Sequence, residues 1–136
     1  MRQKISAELR RSVAERAGFR CEYCRLREDD FYDFFQIDHI RSLKHAGQTE
    51  LKNLAFSCPD CNAYKGSDIG TFLGDGSVIT RFYNPRTDDW FEHFEVVEGA
   101  IYAQTDIGEA TIRILRLNDL DRIIIRQELT KDGLYP

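Results

Sequence analysis

Residues 37–65, IDHIRSLKHAGQTELKNLAFSCPDCNAYK, decide how this chain is read. They hold an Asp-His pair at 38 and 39, an isolated Asn53 after a polar loop, and a CxxC whose second cysteine is followed at once by Asn62. A second CxxC, Cys21 and Cys24, lies shortly upstream. Four thiolates suit a closed tetrahedral zinc site. An Asp, a His and an Asn suit a hard cation with a base beside it. One group reads as a structural clamp and the other as a reactive centre that the clamp positions.

Working outward, the local signals give strand, loop, strand, helix. Residues 34–38 read as a short strand ending at Asp38-His39, and residues 54–56 as a second, antiparallel one. Pro59 fits the first position of a helix reaching Lys65, because that position leaves its N–H unpaired anyway, and Gly66 ends it. Upstream, Ser6 caps a helix to about Ala17, with Leu9, Val13 and Ala17 on one face and Gly18 past its end. Glu28, Asp29 and Asp30 form a solvated acidic loop. Downstream, residues 78–82 read as a strand, and Trp90, Phe91 and Phe94 as packing residues. Residues 94–97 and 101–104 form a hairpin. Ile107, Ala110, Ile114 and Leu117 recur at helical spacing. Asn118 can cap a last helix that turns Leu120, Ile123, Ile124 and Leu129 inward. The expected class is α+β, and the 136 residues read as a single domain with a core at about 19–66 and an extension at about 67–136.

Net charge is −4, but its distribution is uneven. Residues 1–27 carry eight Lys or Arg against three Glu, while residues 69–136 carry twelve acids against seven bases. The first segment can meet a phosphate backbone, or be one solvated helix face. No apolar run approaches the roughly 20 residues of a membrane helix, and the N-terminal segment lacks the apolar stretch of a signal peptide. A cytoplasmic protein with no membrane contact is expected. In a reducing compartment two CxxC pairs point to structural zinc on Cys21, Cys24, Cys58 and Cys61; redox or inert thiols are the alternatives.

CEYC, DHI, the loop to KNL, and CPDCNAYKG together resemble the HNH endonuclease family, over about residues 19–66. The segment from FYNPRTDDWFEHF through TIRILRLND is similar to the C-terminal extension of small bacterial stand-alone HNH proteins. The resemblance implies a ββα-metal (His-Me finger) core stapled by a four-cysteine zinc site, with an N-terminal helix and a C-terminal hairpin plus two helices. It implies that His39 is the general base, that Asp38 holds a catalytic cation, and that Asn53 fixes the loop and the orientation of His39. Asn62 stands where many members have a His, which makes an HNN variant whose oxygen ligands favour Mg²⁺ or Mn²⁺. The implied activity is hydrolysis of nucleic-acid phosphodiesters, DNA rather than RNA. Arg10, Arg11, Arg41, His45 and Lys65 are candidate nucleic-acid contacts, each with a solvated-surface alternative; His93 is expected to pack or lie at the surface. A zinc-stabilised nucleic-acid-binding module without hydrolysis is the second reading, and a thiol redox protein a third.

Overall fold

A computed structural model describes residues 4–136, so Arg2 of the basic segment lies outside the described residues. The chain is mixed α and β, with three two-stranded antiparallel sheets. It divides into two compact units, residues 1–67 and 68–136.

In the first unit, helix α1 (Ala7–Arg16) is capped by Ser6, whose hydroxyl accepts from the Leu9 N–H at 3.1 Å. Val13 and Ala14 are its buried residues, and Leu9 and Ala17 are half-buried beside them. Strands β1 (Gln36–His39) and β2 (Leu54–Ser57) pair antiparallel, Asp38 opposite Ala55 and His39 opposite Leu54. Helix α2 (Pro59–Lys65) follows directly, with Pro59 in its first turn and Cys58 as its cap. β1 begins two residues later than the sequence suggests. Its ladder starts where Gln36 meets Ser57, because the next partner, Cys58, already caps α2. Phe34 is left outside, 83 % exposed, while Phe35 is buried against Phe56 at 5.3 Å between ring centres. Val13, Tyr23, Leu26, Phe35, Leu54 and Phe56 are all buried in this unit.

In the second unit, β3 (Gly70–Phe72) pairs with β4 (Ile79–Arg81). The sequence reading marks only the latter. Gly70 carries the reason, since a Cβ there would lie 2.5 Å from the Thr80 carbonyl oxygen. A short α3 (Trp90–His93) runs into the hairpin of β5 (Phe94–Val97) and β6 (Ala100–Ala103). Helices α4 (Asp106–Leu115) and α5 (Leu120–Lys131) complete it. Trp90 and Phe94 are buried with ring centres 4.7 Å apart, whereas Phe91 is 53 % exposed.

Two expectations for this half are corrected. Asn118 does not cap α5; Asp119 stands at that position. The Asn118 amide instead accepts from the Ile101 N–H at 2.8 Å and donates to its carbonyl at 2.7 Å, ending the β6 edge. The buried residues of α5 are Arg122 and Arg126; Ile123 and Leu129 are half-buried, while Leu120 and Ile124 are 72 % and 48 % exposed. Arg122 donates to the Leu115 and Arg116 carbonyls, and Arg126 to those of Gly99 and Leu117. Carbonyls left open at the end of α4 and in the hairpin turn need donors, and a guanidinium supplies several at once.

Gly99 has φ +81°, and a Cβ there would lie 2.6 Å from the Ile123 carbonyl oxygen. Gly99→Ala should therefore lower stability by about 1–3 kcal/mol, read as an earlier midpoint in urea unfolding.

Candidate functional site

Cys21 and Cys24 belong to a turn closed by Cys21 N–H to Leu26 O at 2.8 Å and Arg25 N–H to Cys21 O at 2.9 Å. Cys58 and Cys61 occupy the cap and first turn of α2. The second backbone N–H of each pair points at the first sulfur, Cys24 N at 3.5 Å from Cys21 Sγ and Cys61 N at 3.4 Å from Cys58 Sγ. Glu22 sews the turn to β2: its N–H donates to Phe56 O and its carboxylate accepts from Phe56 N, both at 2.8 Å. All four sulfurs are buried and lie within 4.8 Å of one another. Cys24 and Cys58 Sγ are 3.7 Å apart, close to the edge of about 3.8 Å that a tetrahedron with metal–sulfur bonds of about 2.3 Å has. Hydrogen bonding with Cys21 and Cys24 pushes the Cys58 thiol up, and burial does the same to Cys61. A cation among them is what lets such thiols ionise. The cluster can hold a zinc ion.

β1 and α2 bring the second group together. Asp38 is 4 % exposed. Its Oδ2 accepts from the Tyr23 hydroxyl at 2.6 Å and its Oδ1 from the Lys65 ammonium at 3.1 Å. Burial pushes the Asp38 carboxyl up, opposed by the Lys65 charge and the Tyr23 hydrogen bond. Burial and the Asp38 charge hold the Tyr23 phenol well above its usual range, so it stays a donor. His39 is half-buried, with Nε2 2.9 Å from Thr49 Oγ1. Partial burial lowers its pKa, the Asp38 charge working against this and the Lys65 charge with it.

Asn53 uses its amide fully on the intervening loop. Oδ1 accepts from Arg41 N–H, and Nδ2 donates to the carbonyls of Arg41 and Gln48, each at 2.9 Å. Its backbone carbonyl accepts from Ile40 N–H at 2.9 Å. Gly47 permits this closure, since a Cβ there would lie 1.7 Å from Arg41 O. Arg16 of α1 reaches the same region, donating to the carbonyls of Leu51 and Leu54.

Asp38, His39, Ser42, Lys44 and Asn62 line one cavity of about 320 Å³. The Asn62 side-chain amide makes no hydrogen bond among the described residues. Arg10, Arg11, Arg41 and His45 are exposed. Lys65 is not: it is 2 % exposed, and besides Asp38 it donates to the carbonyls of His39 and Ile40 at 3.1 and 3.5 Å. A surface phosphate contact at Lys65 does not fit that burial. Tyr23, Thr49 and Lys44 escaped the sequence reading. Only Tyr23, lodged inside a CxxC, had a sequence signal that could have drawn attention to it.

Residues 21–68 match the HNH endonuclease family model. That is about a third of the chain, and it contains both groups. The chain is also similar to the Septu protein PtuB of Bacillus thuringiensis, 24 % identical over 115 residues that cover 83 % of this chain and 42 % of that protein. It thus spans less than half of that relative's length. No solved structure matches the chain. No helix among the described residues is long and apolar enough to cross a membrane.

Asn53→Ala removes three hydrogen bonds, each contributing about 1 kcal/mol. Amide hydrogen exchange at Arg41 should accelerate markedly in this variant, with α2 protection little changed.

Proposed function

We propose that the chain is a metal-dependent endonuclease that hydrolyses phosphodiester bonds of DNA. The observation that carries this reading is the shared cavity: His39, Asp38 and Asn62 line it within the region that matches the HNH family. The four cysteines take structural zinc, and four sulfur ligands leave that ion no open position for chemistry.

The donor set of the cavity fits Mg²⁺ or Mn²⁺. A carboxylate has about four acceptor sites, and Asp38 shows hydrogen bonds from Tyr23 and Lys65, one to each oxygen. The Asn62 amide oxygen is a second hard ligand. A divalent ion held there supplies charge relief for the phosphate and the leaving 3′ oxygen.

The chain's own residues do the rest. In the tautomer whose Nε2–H donates to Thr49 Oγ1, Nδ1 carries the lone pair and can take a proton from the attacking water. The lowered pKa favours neutral imidazole, the form that can accept the proton. Asn53 keeps the loop from Arg41 to Gln48 closed, which holds Thr49 beside the imidazole. Lys44 at the cavity and the exposed Arg10, Arg11 and Arg41 supply positive charge for phosphates. A binding module without hydrolysis remains the second reading, favoured by one observation: the Asp38 carboxylate already has an ammonium partner.

His39→Ala should lower cleavage of supercoiled plasmid in Mg²⁺ or Mn²⁺ by roughly 10²–10⁴-fold, with DNA binding retained. Cleavage at the parent rate would rule out His39 as base, and no cleavage by either protein across metals and substrates would favour the binding module. Separately, Cys58→Ser should release zinc and unfold the first unit, because metal binding and folding are linked. Metal content and thermal melting of both proteins check this; equal values would remove the zinc clamp.

A further inference from the structure

Lys65 is a buried cation beside the cavity that the proposed reaction leaves without a task. It sits at the C-terminal end of α2, 2 % exposed, with its ammonium on Asp38 Oδ1 and on two carbonyls of the chain leaving β1. Asp38 is the one carboxylate lining the cavity. The opposite oxygen of Asp38 is held by Tyr23, from the turn that carries Cys21 and Cys24. Lys65 lies four positions after Cys61 on the same helix. Each half of the thiol cluster thus contributes one arm that grips the same carboxylate.

We propose that Lys65 is a resident cation on the metal-ligating carboxylate, orienting Asp38 and weakening the site's hold on a divalent ion. This rests on the assignment of Asp38 as a metal ligand. Asp38 and Lys65 are together neutral, so the pair offers an incoming cation a dipole instead of a net negative charge, and the attraction is weaker than a lone carboxylate would give. It must share a carboxylate with an ammonium only 3.1 Å away. Two cations that share one carboxylate repel strongly wherever water is partly excluded. Burial stops the ammonium from moving out into solvent, so the repulsion cannot simply relax away. The two backbone carbonyls keep Lys65 in place if the carboxylate turns toward another partner. Lys65 is a positioning residue in this scheme, acting through Asp38 and touching no reacting atom.

The test is Mn²⁺ binding to the zinc-loaded full chain without nucleic acid, read by electron paramagnetic resonance of free Mn²⁺. Lys65→Gln should bind Mn²⁺ at least about tenfold more tightly than the parent, the change expected when a like charge is removed at this range. Lys65→Arg, which keeps the charge, should stay near the parent, and Asp38→Asn should lose the site. Unchanged or weaker binding by Lys65→Gln, with Asp38→Asn still losing the site, overturns the proposal and leaves the ligand assignment standing. Parent-like binding by Asp38→Asn defeats the ligand assignment, and the proposal with it. Should Lys65→Gln fail to fold, the parent alone decides: the Lys65 ammonium ¹⁵N resonance should shift in step with Mg²⁺ saturation. No shift at saturating Mg²⁺ overturns the proposal.

Discussion

Four buried sulfurs within 4.8 Å of one another tie the turn of Cys21 and Cys24 to the start of α2. They join two segments that are 34 positions apart at Cys24 and Cys58. Because Cys58 caps α2 and Cys61 lies in its first turn, the cluster fixes where that helix starts. The helix then carries Asn62 and Lys65 to β1. Such a unit is small for apolar burial alone to hold together, and a metal ion bound among the four sulfurs would offset the missing core.

The second constraint is electrostatic. A carboxylate as buried as Asp38 is tolerated only when paired and hydrogen-bonded, and here Lys65 and Tyr23 do both. Removing one member of such a pair costs on the order of 3–5 kcal/mol, because the other is left uncompensated. The pair is therefore a commitment of the fold as well as a feature of the site. It aligns β1 with α2, and Lys65 also fixes the carbonyls of His39 and Ile40. His39, one residue on, is held by a different and neutral contact, the Thr49 hydroxyl.

The second unit is built on another economy. Its last helix turns two arginines inward and leaves aliphatic residues at the surface. The arginines lie four apart on one face and are consumed by backbone carbonyls. Hydropathy patterns assume that carbon goes inside and charge outside. That assumption fails where helix ends and a tight turn need donors more than the core needs another methyl group.

Much of the first unit was legible in order along the chain. Pro59 and Gly66 bound α2, the two CxxC pairs announced the thiol cluster, and Asp38-His39 and Asn62 announced the cavity, since these signals act through neighbours only a few residues away. The match to the HNH family model spans residues 21–68, the stretch that contains those same short motifs. What no local pattern carried was the partnership of Tyr23, Asp38 and Lys65, the Thr49 contact to His39, and the inward arginines of α5. A lysine in the last turn of a helix reads as solvated until the fold places a carboxylate beneath it. Sequence determined which chemical groups this protein has and, in the first unit, the order of its helices and strands. Tertiary structure alone decided which of the groups meet, because the cost of burying a charge depends on the partner that folding supplies.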